Sequence, residues 1–208
     1  MREVKLIQFS CENHEKIDIM MKEMQKLRIN DEIQDSLIFV EHPEIVTIGP
    51  KARKDKILPP EDYPRKFVDR GGGITWHGPG QLVVYPIFKW NLNDETDIKK
   101  IIHKLEEWII NSFSDLGIKG IRDERMRGVW INGKKIVSIG LSFLKWVSRH
   151  GLSINYSTPK DRVELLEGCG LEAGITSSLD VMGHRVSRNN LEKKLIENIY
   201  ILSRRFNE

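Results

Sequence analysis

Cysteine is scarce in this chain: 208 residues contain two, Cys11 and Cys169. Two thiols cannot build a disulfide framework or a tetrahedral cysteine metal centre, which leaves one of them available as a nucleophile. The six histidines are scattered, with no His-x-x-x-His pair and no carboxylate at ligand spacing, so no metal is expected. No run approaches the roughly 20 apolar residues that span a bilayer. Met1 to Val4 also lack the apolar stretch of a signal peptide. The expectation is a cytoplasmic protein with no membrane partner. A large excess of one charge sign is missing too. The 33 Lys and Arg against 30 Asp and Glu leave a net charge of +3. That is too little to argue for nucleic acid, although it suits an acidic protein partner. Hydrophobic residues at 39% and charged residues at 30% are ordinary for a globular protein. No repeat or linker divides the chain, so one domain over 1–208 is expected, as a monomer.

Glycine is unevenly spent. Five of the 16 glycines fall within the twelve residues from Arg70 to Gln81, Arg-Gly-Gly-Gly-Ile-Thr-Trp-His-Gly-Pro-Gly-Gln. Such a shift marks a backbone that bends tightly or approaches something closely. The stretch has neither the Gly-Lys-Ser/Thr ending of a P-loop nor a Gly-x-Gly-x-x-Gly closing onto a helix. It runs instead into Gln81–Ile87, which reads as a strand. A bulge or wide turn between strands is the plainer alternative.

Elsewhere the periodicity predicts a strand at Val4–Phe9 and a helix over 13–27 carrying a methionine face. It then predicts β-rich runs at 36–43 and 44–49, separated by a His-Pro turn that makes a structural role for His42 the default. Pro50 to Lys66, with four prolines, reads as a loop or set of turns. Its cations (Lys51, Arg53, Lys54, Lys56, Arg65, Lys66) form either a docking surface or a solvated loop. A helix is expected over 97–113, then a hairpin about Asn132-Gly133, the strongest short-range hairpin signal. A strand at 150–156, a short helix at 161–166 and a closing helix over 190–206 follow. Helices and strands mixed with an antiparallel hairpin argue for an α+β fold, a mixed β-sheet packed by helices.

Strict alternation after the hairpin puts Lys135 on one face with Val137 and Ile139, and Ile136 with Ser138 on the other. A lysine on an apolar face either runs its stem to the rim or is desolvated and serves as a base. Cys169 lies between Gly168 and Gly170. It is either a small apolar residue at a turn or a thiol open to a bulky electrophile such as a thioester. A nucleophilic thiolate needs a nearby cation or base, and Lys135, His77 and His150 are the candidates. Cys11 reads as incidental.

These residues carry a resemblance. Arg70 to Gln81 closely resembles the signature of the octanoyl-[acyl-carrier-protein]:protein octanoyltransferases of lipoate biosynthesis. Phe39–Gly49 resembles the segment that precedes that signature. Gly128–Ile131 with Gly133–Gly140 is similar to the family's catalytic-lysine hairpin, and His150–Asn155 to its next strand. Gly168-Cys169-Gly170 falls where the family has its cysteine. The blocks appear in the family's order over residues 37 to 170. The resemblance implies a fold similar to the catalytic domains of biotin and lipoate protein ligases. It also implies Cys169 as nucleophile, Lys135 as its activator, and no cofactor. Arg70, Gly71, Gly72, Gly73, Ile74, Thr75, Trp76 and His77 would line the acyl pocket, with Ser138, Ile139, Gly140, His150, Gly151 and Leu152. The implied donor is octanoyl-acyl carrier protein. The implied acceptors are lipoyl domains of 2-oxoacid dehydrogenase complexes and the glycine-cleavage H protein. Two positions depart from the pattern. Gly168 stands where the family usually has proline, and Gly73 is more typical of the ATP-dependent lipoate ligases. The alternative is therefore an ATP-dependent lipoate or biotin protein ligase on the same fold, which would not need Cys169.

Overall fold

The computed structural model describes residues 1–92, 95–164 and 174–206. In chain order the elements are β1 (Arg2–Gln8), α1 (His14–Ile29), β2 (Asp35–Val40), β3 (Ile45–Ile48), α2 (Pro50–Lys54), β4 (Arg65–Phe67), β5 (Ile74–His77) and β6 (Gln81–Ile87). There follow α3 (Ile98–Ser114), β7 (Gly128–Ile131), β8 (Lys134–Leu144), β9 (Val147–Asn155), α4 (Arg188–Glu197), a 3₁₀ turn (Ile199–Leu202) and β10 (Arg204–Phe206).

Seven strands form one mixed sheet in the order β10-β1-β2-β6-β9-β8-β7. β1 pairs in parallel with β10 and β2, and the pairings from β2 to β7 are antiparallel. The sheet is covered on both faces, which explains why β2 is apolar without alternating. Leu37 and Phe39 join a core with α3 residues such as Leu105 and Trp108, whereas Ile38 and Val40 join one with Ile17 and Met21 of α1. The methionine face of α1 is thus core packing. Side chains cap the helix starts: Asn13 caps α1, Asp97 caps α3 and Ser187 caps α4.

A second sheet of three strands, β4-β3-β5, has its own small core around Val46, Ile48, Ile74 and Trp76. The His-Pro turn therefore carries the chain from one sheet to the other. The Arg70–Gln81 stretch contains a strand of its own, β5, between its two glycine clusters. Within Pro50–Lys66 the chain forms α2, with Pro50 in the first turn where its missing N–H costs nothing, and the start of β4.

Two expected helices differ in the structure. The closing helix ends at Glu197, not 206. Asn198 caps it, Ser203 takes a left-handed φ of 58°, and Arg204–Phe206 turns to pair with β1. The expected short helix over 161–166 is a turn at 161–164, and its last two residues lie outside the described set.

Candidate active site

The two sheets face each other across a cavity of about 400 Å³. The small sheet supplies Thr47, Ile74, Trp76 and His77; the large one supplies Val83, Tyr85, Gly151 and Ser153. The loop before β5 forms a wall because it is clamped on both sides. Gly71 N–H donates to the Leu141 carbonyl at 2.9 Å, and the Gly72 carbonyl accepts from Lys51 N at 3.2 Å. A Cβ on Gly140 would lie 2.8 Å from the Gly71 carbonyl oxygen, so β8 approaches this closely only with glycine there.

Lys135 reaches the cavity through an irregularity in the hairpin. Val129 pairs with Val137 but Trp130 with Lys135, so Ile136 is an extra residue, a β-bulge. The bulge breaks the expected alternation. Ile136 and Val137 both turn into the core, whereas Lys135 and Ser138 line the cavity. Lys135 does not share its face with Val137. Its stem runs beside Gly128, where φ is 132° and a Cβ would meet the Val137 carbonyl oxygen at 2.0 Å and Lys135 Cε at 3.0 Å. Lys135 is 5% exposed.

The backbone of Lys135 also holds the chain as it returns from 165–173. Lys135 N–H donates to the Ile175 carbonyl at 2.9 Å, and its carbonyl accepts from Ser177 N at 3.0 Å. Gly174 N–H reaches the Glu164 carbonyl at 2.6 Å, and Val163 and Thr176 both line the cavity. Cys169 itself, with Gly168 and Gly170, lies outside the described residues. Cys11 is exposed.

His77 is wired into this arrangement. Gln81 Nε2 donates to the Trp76 carbonyl (2.9 Å) and to Asn155 Oδ1 (2.7 Å), which leaves Gln81 Oε1 as acceptor for His77 Nδ1–H at 2.7 Å. His77 Nε2 must then accept, and Thr47 Oγ1 lies 3.2 Å from it. Thr47 Oγ1 in turn accepts from Arg70 Nη2 at 2.8 Å. Asn155 Nδ2 donates to the Ser177 carbonyl at 3.0 Å. A chain of side chains within hydrogen-bond distance thus runs from Arg70 through Thr47, His77, Gln81 and Asn155 to the segment bonded to Lys135.

Three imidazoles cluster on this side. His14, His42 and His77 have ring centroids 5.2 to 6.0 Å apart. Burial, then the neighbouring His42, holds His14 down to about 3. Burial also pushes His42 below its ordinary value, and pushes His77 well below it with help from His42, His14 and Arg70. His42 bridges the Glu12 carbonyl (2.7 Å) and Tyr85 Oη (2.8 Å), in keeping with its structural reading. His14 Nδ1 is buried without a hydrogen-bond partner among the described residues, and its ring lines the cavity. Sequence reasoning missed His14, a lone histidine at a helix start. His150, with a φ of 60°, meets Asp69 Oδ1 at 2.8 Å. Burial lowers its pKa while Asp69 opposes the shift.

Of the residues expected to line the pocket, Arg70, Gly71, Gly72, Ile74 to His77, Ser138 to Gly140 and His150 to Leu152 border this cavity. Gly73 is not among its lining residues; its carbonyl accepts from Gly49 N at 2.9 Å. Among the described residues no cluster of three or more His, Cys, Asp or Glu could hold a metal ion, and no helix is long and apolar enough to cross a membrane.

Residues 19–200 match the family described as "Lipoyl protein ligase A/B catalytic domain". The chain is 36% identical over 185 residues to an octanoyltransferase of Caldicellulosiruptor saccharolyticus, covering 85% of this chain and 78% of that protein. It is 38% identical over 180 residues to an octanoyltransferase of Rickettsia prowazekii, covering 84% and 86%. The chain belongs to the octanoyltransferase family. It is accordingly an acyltransferase. The family's fold extends to more distant structures. A bipartite lipoate protein ligase of Thermoplasma acidophilum superposes with a TM-score of 0.72 at 17% identity, over 100% of this chain and 87% of that one. The biotin protein ligase of Aquifex aeolicus superposes with a TM-score of 0.55 at 10% identity, over 98% and 70%.

Proposed function

We propose that this chain transfers an octanoyl group from acyl carrier protein to a lysine ε-amine on lipoyl domains, through a thioester on Cys169. The observation that carries this reading is a buried lysine, Lys135, lining a largely apolar cavity whose wall also holds both flanks of the Cys169 segment. Cys169 attacks as the thiolate, beside the Lys135 ammonium. Its sulfur bonds to the octanoyl carbonyl carbon, the bond from that carbon to the phosphopantetheine sulfur breaks, and Lys135 protonates the departing thiolate. The acceptor amine then attacks the cysteine thioester. The neutral Lys135 takes the amine proton, an amide forms as the bond to the Cys169 sulfur breaks, and the cysteine leaves as a thiolate beside the restored Lys135 ammonium. Thioester exchange is nearly isoenergetic and amide formation drives the sequence, so no ATP is needed. Ile139 and Leu152 are walls for the alkyl chain, whereas Val137 belongs to the core. Six methylenes at about 0.8 kcal/mol each contribute up to about 5 kcal/mol of binding. His77 acts as a positioning residue, since its hydrogen bonds lead to the backbone partners of Lys135.

Intact mass after incubation with octanoyl-acyl carrier protein, without ATP, tests the reading. The wild type should gain one octanoyl group and Cys169→Ala none. Lys135→Ala should acylate about 10² to 10⁴ times more slowly. Acylation retained in Cys169→Ala would sink the nucleophile. Product formed only from free acid with ATP would favour a ligase.

A further inference from the structure

We infer that the acidic donor carrier protein docks on a cationic cleft at the start of α3, separate from the 51–66 segment. An open cleft of about 480 Å³ is lined by Lys99, Lys100, His103, Lys104 and Arg127. Lys99, Lys100, His103 and Arg127 are exposed. Lys104 is half-buried, with Glu95 Oε1 3.7 Å from its Nζ. The positive end of α3, 17 residues long, points the same way, although Asp97 caps it.

Position turns this patch into a docking face. Arg127 lines both the cleft and the acyl cavity, and it directly precedes Gly128, against which the Lys135 stem lies. Ile98, 49% exposed, and Ile102 carry the apolar lining of the cavity out to the same rim. A partner seated here presents negative charge to the lysines while an acyl chain enters between Ile98 and Arg127. The donor fits this better than the acceptor. Its acyl group arrives on an arm bearing a phosphodiester, which Arg127 can engage in bidentate fashion. The acceptor delivers a lysine, whose own positive charge is repelled by the same field. Two of the 51–66 cations are engaged. Lys66 Nζ lies 3.7 Å from Glu15 and 3.9 Å from Asp18, and Arg53 sits over the Phe67 ring.

This inference rests on the acyl-carrier reading of the donor. The test compares wild type with Lys99→Glu/Lys100→Glu, neither of which lines the acyl cavity. The KM for octanoyl-acyl carrier protein should rise tenfold or more, and the wild-type KM should rise steeply with salt. With octanoyl-N-acetylcysteamine, which has no carrier protein, the double variant should stay within twofold of wild type, showing it folded and active. An unchanged carrier KM would overturn the docking face while leaving the reaction intact. So would a rise in the KM for the acceptor domain alone. A wild type that uses octanoyl-N-acetylcysteamine but not the carrier protein would overturn the donor assignment and the docking face together.

Discussion

At the scale of single residues, the cavity is governed by imidazoles kept neutral. Hydrogen-bond direction settles the His77 tautomer: Gln81 has both amide hydrogens committed, so its oxygen faces Nδ1. Protonating His77 would aim a second donor at Thr47, which already serves the Arg70 guanidinium. The folded chain therefore resists protons that the unfolded chain accepts. His14, His42 and His77 have folded pKa values below those of free imidazole. The unfolded state thus binds more protons below about pH 6.5, and stability falls as pH falls through that value. For His14 the decline continues towards about 3. Each neutral imidazole contributes a slope of about 1.4 kcal/mol per pH unit, so the three together give up to about 4. Urea unfolding at pH 7.5, 6.5 and 5.5 should show stability roughly level above the midpoint and dropping below it. Equal stability at 6.5 and 5.5 would contradict the neutral cluster.

At the scale of elements, the approach of β8 to the glycine loop sets the cavity wall. A Cβ at Gly140 meets backbone, the Gly71 carbonyl oxygen at 2.8 Å, and Arg70 Cδ at 3.1 Å, so the loop rather than a flexible side chain must move. Gly140→Ala should cost about 1 to 3 kcal/mol as overpacking. It should also lower kcat/KM by more than that stability loss explains, because Arg70 and its bonds to Thr47 shift with the loop. Parallel measurement of kcat/KM and urea midpoint checks this; unaltered kcat/KM would mean the wall is not part of the working site. The hairpin holds a similar lesson. Asn132-Gly133 announces the turn, but the bulge at Ile136 is invisible to alternation, because it answers to pairing with β7 and β9 and to two-sided burial. Without it Lys135 would share a face with Val137 rather than open into the cavity.

At the scale of the whole molecule, the last strand ties the two ends of the chain together through buried charge. Arg204, fully buried, donates to Asp35 Oδ2 at 3.0 Å and pairs with Glu95, and its guanidinium lies 4.9 and 4.8 Å from the rings of Phe88 and Trp90. Asp35 also receives Arg28 Nε at 2.7 Å. Removing the cation leaves Glu95 buried without this partner. Arg204→Met should cost about 3 to 5 kcal/mol, read as a fall in the urea midpoint. A change below about 1 kcal/mol would mean that water or Lys104 compensates. The same network explains why helical periodicity over 190–206 misled. Leu191, Leu195, Ile199 and Leu202 keep helical spacing and are all buried, yet Arg204 is drawn into the sheet by partners far away in sequence.

What the amino-acid order determined alone is what local chemistry encodes: the apolar periodicity of the first helices, the Asn-Gly hairpin, the glycine-rich loop, and the ordered motifs that carry the family. Those signals act within a few residues, so they survive without knowledge of the rest. Tertiary structure alone decided the split into two sheets at His42-Pro43, the side of β8 on which Lys135 emerges, and the hydrogen-bond chain from Arg70 to Ser177. It also gathered His14, His42 and His77, and joined Arg127 to the lysines of α3. Most of these depend on residues tens of positions apart meeting at a few ångströms. Burial and pairing decide such meetings, and no local period records them.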